Sequence, residues 1–395
     1  MLASLVWDGG EIVRTHDSMG EPLPDQLTGS AGEQLIELAT RVCYDSMGRD
    51  EAGKRKGRNT EKTLANVLTV QHHSVLEHYV RTVALSPCKD MTPASLPQIL
   101  LALTNRPGVW VRLDSDNVRA HGAGDVRITL NVRAVIEWDK WTEILMREHG
   151  SGVSSGVRGV ANVLGNRIRD LFAEVVPLLV SPRDGVSAAP VWIYKMPIQF
   201  AAPMTNAERW VSLYMEGSRG FSHEMVRHRF AISQRSTRYC GEETTKWEWH
   251  PIIWRYIQMQ DDPGVVTDKL RAAQDAGREA YEATVKHLEG WLLQNVLDKD
   301  VPYRRKHARK QARGAARGFL GNALETRMVF SAPVWAWRHI VKMRAADAAD
   351  AEIRQVVTEA LRVLRTSRYA PEFADLVLGP ASDGMGMSLV DGGHA

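Results

Sequence analysis

The chain has 395 residues, of which 44% are hydrophobic and 25% charged, and its formal net charge at pH 7 is +3. These proportions are typical of a globular protein with enough chain for two or three domains, and so small a net charge does not by itself indicate nucleic-acid binding. No apolar run approaches the roughly 18 residues of a membrane span, and the N-terminus lacks the basic start and apolar stretch of a signal peptide. Three widely separated cysteines predict a reducing, cytoplasmic location rather than a disulfide framework.

The N-terminal part of the chain predicts a loosely held extension followed by helices and a strand. Residues 1–29 are rich in Gly, Pro and Asp. Apolar residues at helical spacing then begin near Glu33 and continue to Tyr44, and a second helix is expected over 61–71. A β-rich run follows from Tyr79 to Leu85, with a charged loop predicted over 46–60 between the helices.

Residues 87–190 predict a separate inserted unit. Val126, Ile128 and Leu130 alternate with polar residues, as expected of a half-buried strand. A Gly- and Ser-rich stretch at 149–159 predicts a flexible break, and apolar residues from Val160 to Leu179 then recur at helical spacing.

The C-terminal half predicts a strand around 211–215, a long amphipathic helix over 266–298, a basic helix over 304–320 and a last helix over 349–364. An aromatic stretch precedes the long helix. From Gly379 onward the sequence is Gly-rich and is predicted to be disordered.

The segment 218–240 indicates an anion-binding site. It contains Arg219 and four further arginines between Arg227 and Arg238, against a single acid, Glu224. Clustered guanidinium groups cost free energy inside a fold unless anions compensate them, and phosphate suits their planar geometry.

The basic helix 304–320 adds a second group of cations. Lys306, Lys310, Arg313 and Arg317 are spaced by four, three and four residues and therefore share one face. Such a charge run can be a solvated face or a nucleic-acid arm. The absence of acids and the alanines on the helix favour close packing with the cations directed at a phosphate or a cofactor.

Two other motifs have simpler explanations. His72, His73, Glu77 and His78 include a pair at metal-ligand spacing, but no second ligand cluster supports a metal site, and we predict none. Cys88 follows a proline as in enzymes with a cysteine nucleophile, yet nothing else of their pattern is present. Cys88 and Cys240 are therefore predicted to be inert packing residues.

Three ordered blocks resemble the flavin-dependent thymidylate synthases, whose signature is Arg-His-Arg, seven residues, then Ser. The first block joins Ala39–Tyr44 to His72-x-Ser-Val-Leu-Glu-His78. The second runs from Ser218 through Arg227-His228-Arg229 to Tyr239. The third extends from Arg304 through Lys310-Gln-Ala-Arg313, Glu325-Thr-Arg327 and Arg338-His339 to Arg354.

The resemblance implies an α+β fold, a twisted antiparallel sheet flanked by long helices, with an inserted α/β subdomain. Residues 30–86 and 191–378 would form the catalytic domain, 87–190 the insertion and 379–395 the tail. It also implies reductive C5-methylation of a pyrimidine deoxynucleotide, most simply dUMP to dTMP. FAD would be the cofactor, NADPH and methylenetetrahydrofolate the co-substrates, and the enzyme a homotetramer with shared sites that binds neither nucleic acid nor membranes.

By the same resemblance, site roles fall on matching positions of this chain. Catalytic roles are implied for Arg344, Arg227 and His72. The residues implied to bind the nucleotide are Arg219, Glu224, Gln234, Ser236, Arg238, Tyr239, Arg344 and Arg317, the last from a neighbouring subunit. The residues implied to bind FAD are His72, Ser74, Glu77, Arg227, His228, Arg229, Lys310, Arg313 and His339.

The chain departs from the family pattern in three places. Only six residues separate Arg229 from Ser236, the insertion has no counterpart in shorter members, and Pro333 and Trp335 replace an Asn and an Arg that the family directs at the flavin. Asn131 and Arg133 in the insertion repeat the missing Asn-x-Arg spacing, so they either reoccupy those contacts or form an ordinary strand-to-helix junction.

The departures keep other functions open. A relative could act on UMP or dCMP, or transfer hydroxymethyl instead of methyl. A protein of another class could use the basic helix to bind RNA or DNA, and it would lack the colour of a bound flavin.

Overall fold

The computed structural model describes residues 3–8, 27–47, 59–87, 108–113, 126–149, 155–180, 191–195, 209–240, 263–298, 300 and 302–390. The strands are β1 (Ala3–Trp7), β2 (Val80–Pro87), β3 (Val109–Leu113), β4 (Val126–Asn131), β5 (Val191–Lys195), β6 (Trp210–Ser218), β7 (Ala231–Gln234), β8 (Glu325–Pro333), β9 (Leu378–Pro380) and β10 (Met387–Leu389).

The α-helices are α1 (Ala31–Tyr44), α2 (Thr60–Thr69), α3 (Val132–Ile136), α4 (Trp138–His149), α5 (Ser155–Ala173), α6 (Arg219–Met225), α7 (Pro263–Asn295), α8 (Arg304–Ala316), α9 (Val334–Arg344) and α10 (Ala351–Leu364). Short 3-10 helices cover His73–His78, Val226–His228, Arg317–Phe319 and Ala370–Phe373. No helix in the described ranges is long and apolar enough to cross a membrane.

The main sheet has the strand order β1-β6-β8-β7, with every pair antiparallel. Its central strand β6 is buried along its whole length because alternate residues serve two cores. Leu213 faces a core with α9 and α10, whereas Tyr214 faces a core shared with α1. The predicted α+β class with a helix-flanked antiparallel sheet is confirmed.

A second antiparallel sheet has the order β3-β4-β2-β5. The inserted strands β3 and β4 therefore share a sheet with β2, which belongs to the resembling part of the chain, and with β5. Ile128 of β4 and Leu164 of α5 lie in the same buried cluster as Leu35 of α1 and Val75. The insertion thus packs directly against the first helical layer.

Helix α1 begins and ends with specific local interactions. At its N-terminus, the Ser30 hydroxyl accepts a hydrogen bond from the Glu33 amide at 3.2 Å, and the Glu33 carboxylate accepts one from the Ser30 amide at 3.0 Å. At its C-terminus, Asp45 adopts the left-handed conformation with φ of 47°. The chain therefore turns sharply, which places the Asp45 carboxylate beside the main sheet.

The predicted α7–α8 pair forms a helical hairpin with its own small core. Tyr281 and Val285 of α7 pack with Ala312 and Ala316 of α8. The alanines expected to pack therefore do so, except Ala315, which is exposed. On another side of α8, Lys310 and Arg313 contact Tyr239 in the turn that follows β7.

Both chain ends differ from the sequence-based prediction. Residues 3–7, expected to be a loose extension, form edge strand β1, because Leu5 and neighbouring apolar residues have a buried sheet to join. The prediction of disorder from Gly379 is wrong for residues 379–390, since β9 and β10 pair as a hairpin. The hairpin bends at Gly384 and Gly386, which have positive φ, and Leu389 is buried.

The remaining predictions either differ from the structure by a few residues in their bounds or concern residues that the structure does not describe. The break expected at 149–159 is wrong for residues 155–159, because α5 begins at Ser155, and residues 150–154 lie outside the described residues. Cys88, the aromatic stretch at 247–256 and most of the 46–60 loop lie outside the described residues.

Candidate active site

A cavity of about 350 Å³ opens at the end of the main sheet where β6, β7 and β8 meet α6. Much of the nucleotide set predicted from sequence lies around it, together with two residues of the predicted flavin set. The predicted site residues that line the cavity are His72, Ser74, Arg219, Gln234, Ser236, Arg238, Tyr239 and Arg317. Arg317 lines the cavity of its own chain, and its predicted contribution to the site of a neighbouring subunit stays a prediction.

One wall of the cavity is the start of α6. The Ser218 hydroxyl caps this helix by accepting a hydrogen bond from the Phe221 amide at 3.2 Å. Glu352 of α10 accepts hydrogen bonds from the Ser218 amide at 2.6 Å and the Ser218 hydroxyl at 2.5 Å. Arg219 and His223 then share the helix face at the cavity, because they are four residues apart.

The opposite wall is the turn that follows β7. The Ser236 amide donates to the Cys43 carbonyl at 3.0 Å, and the Cys240 amide donates back to the Ser236 carbonyl at 2.9 Å. The Gln234 side-chain amide donates hydrogen bonds to the Ser222 hydroxyl at 2.8 Å and to the Thr326 hydroxyl at 3.2 Å, and these two bonds fix the side chain. The turn is therefore held mainly by its backbone. The Ser236 hydroxyl accepts a long hydrogen bond from the Arg238 amide at 3.4 Å, and its proton can still be donated to a ligand.

The cavity carries excess positive charge. Of its lining arginines, Arg235 pairs with Asp45 at 3.1 Å, and the lining acid Glu325 pairs with Arg327 at 3.4 Å. Among the described residues, Arg238 and Arg317 have no carboxylate partner. Two uncompensated guanidinium groups beside a serine hydroxyl form a donor set suited to a phosphate.

Helix α8 borders the cavity through Tyr239. The Arg313 guanidinium donates to the Tyr239 carbonyl at 2.9 Å, and the Lys310 ammonium lies 4.9 Å from the centre of the Tyr239 ring. Lys310 and Arg313, predicted to bind the cofactor, therefore lie behind a lining residue rather than in the cavity wall itself.

A second polar group lies outside this cavity and contains most of the remaining predicted residues. Arg344 donates to the Glu224 carboxylate at 2.6 Å and to His228 Nε2 at 3.3 Å, and the rings of His228 and His339 are 6.4 Å apart. We call Arg344, Glu224, His228 and His339 the outer cluster. The flanking Arg227 and Arg229 are exposed, and Arg229 has a left-handed backbone with φ of 55°.

The surroundings of His228 in the outer cluster keep this histidine neutral. Burial, together with the positive charge of Arg344 and the nearby His339, lowers the pKa of His228 to about 4. A neutral His228 can accept the hydrogen bond from Arg344. Burial also raises the pKa of Glu224, against the opposing effect of the Arg344 charge.

Glu77, predicted to bind the cofactor, lies at the boundary with the insertion. Its carboxylate pairs with Arg133 at 2.5 Å. The Asn131 side chain accepts from the Ala134 amide at 2.9 Å and is buried, so it caps α3. Asn131 therefore forms the ordinary strand-to-helix junction, while Arg133 contacts a predicted cofactor residue.

The histidine-rich segment does not converge on a common point. His72 faces the cavity, and His73 pairs with Glu137 at 2.8 Å. His78 is fully buried, with Nδ1 2.8 Å from the Ser331 hydroxyl and Nε2 2.9 Å from the Ser233 hydroxyl. Burial lowers the pKa of His78 to about 3, so this ring is a neutral structural group.

Several lining residues had not been predicted: Cys43, His223, Ile232, Arg235, Thr237, Glu325 and Thr326. Part of this set could have been found from strand periodicity. Ile232, Gln234 and Ser236 are two residues apart, so the prediction of Gln234 and Ser236 already implied Ile232 on that face. Glu325 and Thr326 are placed by the pairing of β8 with β6, opposite Ser218 and Gly217, and no local pattern reveals that pairing.

The fold and the cavity define an α+β protein with a hydroxyl- and arginine-lined cavity at the end of an antiparallel sheet. The profile of the family described as thymidylate synthase complementing protein matches residues 26–91 and 210–371, which is more than half of the chain. The chain belongs to this family, and the resemblance found in its motifs is confirmed. The unmatched region between the two segments contains most of the insertion.

Curated relatives agree. The flavin-dependent thymidylate synthase of Mycolicibacterium gilvum is 41% identical over 177 residues, which cover 44% of this chain and 64% of that protein. The protein of the same name in Mycobacteroides abscessus is 38% identical over 181 residues, covering 45% and 66%. That in Mycobacterium marinum is 40% identical over 176 residues, covering 44% and 64%. The chain thus spans less than two thirds of the length of these relatives.

Proposed function

We propose that this protein is a flavin-dependent enzyme that methylates C5 of dUMP to give dTMP, using methylenetetrahydrofolate and NADPH, in the cytoplasm. The observation that supports this most directly is the convergence of Ser236, Arg238 and Arg317 on one cavity. Its donors suit a nucleotide phosphate, and its volume of about 350 Å³ is within the range of small-ligand sites.

In this proposal, Ser236, Arg238 and Arg317 bind the phosphate and Arg219 and Tyr239 complete the nucleotide site. Gln234 has its amide nitrogen fixed by Ser222 and Thr326. A fixed amide leaves a carbonyl oxygen of defined direction, which can accept a hydrogen bond from the N3–H of a uracil ring. Cytosine lacks that proton, so the geometry favours a uracil nucleotide.

The chemistry requires charge stabilisation rather than a protein nucleophile. C5 of uracil attacks the methylene carbon as the bond from that carbon to the folate nitrogen breaks, and C5 then loses its proton. The ring is nucleophilic at C5 when its carbonyl oxygens carry negative, enolate-like charge, and a guanidinium, which cannot lose its proton, stabilises that charge. We assign this role to Arg344, with Arg227 beside it. Burial raises the pKa of the Cys43 thiol to about 11, so this lining cysteine is protonated near neutral pH and is not a thiolate nucleophile.

The residues present fit FAD in their chemistry. His72 Nδ1 is buried and has no hydrogen-bond partner among the described residues, and Ser74 lies beside it at the cavity. Arg227, Arg229, Lys310 and Arg313 would hold the diphosphate, with Glu77, His228 and His339 completing the set. When bound and reduced by NADPH, the flavin supplies the hydride that completes the methyl group.

We further propose that the enzyme is a homotetramer with shared sites. Arg344 is held in the outer cluster by Glu224, away from the cavity of its own chain. Contribution of the outer cluster by a second copy of the chain would bring Arg344 to a bound nucleotide. Neither nucleic acid nor a membrane is required.

The test is direct. Purified protein should absorb in the visible flavin bands and, with methylenetetrahydrofolate and NADPH, convert dUMP to dTMP in a panel that also contains UMP and dCMP. Tritium at C5 of dUMP should appear in water as product forms. A colourless protein, or turnover of UMP or dCMP in preference to dUMP, would overturn the assignment.

A further inference from the structure

The boundary between the insertion and the family core contains an alternating group of charges. His73 pairs with Glu137 at 2.8 Å, Arg133 pairs with Glu77 at 2.5 Å, and Arg133 also reaches Glu137 at 3.3 Å. We call these four residues the junction cluster. The core helix 73–78 supplies the base His73 and the acid Glu77, four residues apart. The inserted helix α3 with its C-cap supplies the base Arg133 and the acid Glu137, also four apart, so each base faces an acid of the other helix.

Backbone contacts continue the junction at the far end of the 3-10 helix. The Val132 amide donates to the Tyr79 carbonyl at 3.2 Å, and Asn131 is the register partner of Val80. The helix His73–His78 is therefore held by the insertion along its length, by side chains in its first turns and by backbone at its end.

This helix positions two residues of the cavity. His72 immediately precedes it and Ser74 lies in its first turn, and both line the cavity. His72 makes no side-chain cap to the helix; its ring packs edge-on against Tyr44 with 5.6 Å between ring centres, and its amide donates to the Val67 carbonyl at 2.9 Å. The helix that follows is therefore one of the supports that set the direction of His72. Burial acts to raise the pKa of the Glu137 carboxyl, but the hydrogen bond to His73 and the Arg133 charge outweigh it and lower the pKa. The carboxylate therefore stays ionised for both partners.

We propose that Arg133, supplied by the insertion, is a positioning residue that holds His72 and Ser74 at the cavity through Glu77 and Glu137. The proposal rests on the function proposed above for that cavity. It gives the insertion a defined part in ligand binding, although Arg133 itself does not line the cavity.

The network geometry separates Arg133 from an ordinary surface charge. An isolated exposed ion pair contributes little, whereas a guanidinium shared by two carboxylates loses both contacts when it is removed. The exposed Arg362–Glu359 pair in α10, at 2.9 Å, is a matched control because it contains the same ion types far from residues 72–79 in sequence and in a different helix.

The experiment uses the full-length, FAD-loaded protein and the variants Arg133→Ala, Arg133→Lys and Arg362→Ala. Hydrogen–deuterium exchange is measured for residues 72–79, dUMP affinity by calorimetric titration, and Tm for each variant. We expect Arg133→Ala to exchange faster in 72–79. Because His72 and Ser74 line the same cavity as the nucleotide residues and would place the flavin against a bound nucleotide, we also expect it to bind dUMP roughly fivefold more weakly, with Arg133→Lys recovering most of the affinity. Arg362→Ala should match the wild type in both.

Two results would overturn the proposal: wild-type exchange and dUMP affinity in Arg133→Ala, or an equal loss in Arg362→Ala. A fall in Tm that Arg133→Lys does not reverse, with unchanged dUMP affinity, would show a packing role and also reject it. If wild-type protein does not bind dUMP, the proposed function fails, and the exchange of residues 72–79 alone then decides whether Arg133 positions this helix.

Discussion

Arg344 donates a 2.6 Å hydrogen bond to the carboxylate of Glu224, and this pair lies outside the cavity that contains Ser236 and Arg238. The guanidinium assigned to charge stabilisation and the donors assigned to the phosphate therefore occupy different places in a single chain. A Glu224–Arg344 pair also fixes the direction of the guanidinium before any ligand arrives, which is how a preorganised electrostatic group works.

Replacing Arg344 with alanine should lower kcat far more than it lowers stability. A charge-assisted hydrogen bond is worth roughly 1.5–3 kcal/mol, or about 10- to 100-fold in rate, and more if the charge develops only in the transition state. Steady-state assays and urea unfolding of Arg344→Ala measure the two effects. Arg344→Lys, which keeps the charge without the planar fork, should recover part of the rate. Wild-type kcat in Arg344→Ala would exclude the assigned role.

Mixing two impaired variants, assayed at a dUMP concentration well below the Kd of Ser236→Ala, tests whether sites are shared between copies. If Arg344 of one chain serves the cavity of another, a tetramer that combines Arg344→Ala and Ser236→Ala chains contains some sites with both wild-type residues. Activity should then reappear after the variants are denatured together and refolded. Each variant refolded alone is the control. No recovery in a mixture shown by mass spectrometry to contain mixed tetramers would mean that each chain forms its own site.

Sequence patterns predicted the fold class, most helices and eight of the residues that line the cavity, but not how those residues are arranged. The Ser236 turn and the basic helix could be found because their chemistry is local, in clustered arginines at regular spacing. The pairing of Arg344 with Glu224 joins residues 120 positions apart, and the Arg133–Glu77 pair joins residues 56 apart. Strand β1 was missed because an edge strand of five residues depends on the sheet it joins more than on its own propensity.

Ser236→Ala and Arg238→Ala should weaken nucleotide binding more than FAD binding. The backbone bonds that hold the turn, including Ser236 amide to Cys43 carbonyl, remain in both variants, and Ser236→Ala loses only the 3.4 Å hydrogen bond from the Arg238 amide to the Ser236 hydroxyl. The fold should therefore persist. Loss of the Arg238 contact should raise the dUMP Kd about 10- to 100-fold. Flavin content by absorbance and dUMP titration give the comparison. A variant that loses flavin but keeps dUMP affinity would show that the two sites are assigned the wrong way round.

Cys43→Ala and Cys240→Ala should each keep kcat within a few-fold of wild type. With a pKa raised to about 11 by burial, Cys43 is roughly 0.1% thiolate at pH 8, too little for a nucleophile. Both residues are buried, so some stability is lost when the sulfur is removed, and activity should be compared at a temperature where each variant is folded. Cys88→Ala is expected to behave likewise. Abolished turnover in a folded Cys43→Ala protein would indicate covalent catalysis through this thiol.

His78 should make the fold acid-sensitive at mildly low pH. Its pKa is about 3 when buried between Ser233 and Ser331, against an ordinary value of 6.5, so the unfolded chain binds the proton more readily. The contribution of neutral His78 to the free energy of unfolding is present above pH 6.5 and declines as the pH falls toward 3. Between pH 8 and pH 5 the free energy of unfolding falls by about 2 kcal/mol. Lowered pKa values of His72 and His228 act in the same direction.

Urea unfolding of wild type and His78→Gln at fixed protein concentration isolates the His78 contribution. Glutamine can still bond both serine hydroxyls but does not titrate, so the variant should be less stable at pH 8 and should lose less between pH 8 and 5. His287→Gln on the exposed face of α7 is the control and should keep the wild-type slope. A wild-type slope in His78→Gln would show that the acid sensitivity arises from other groups.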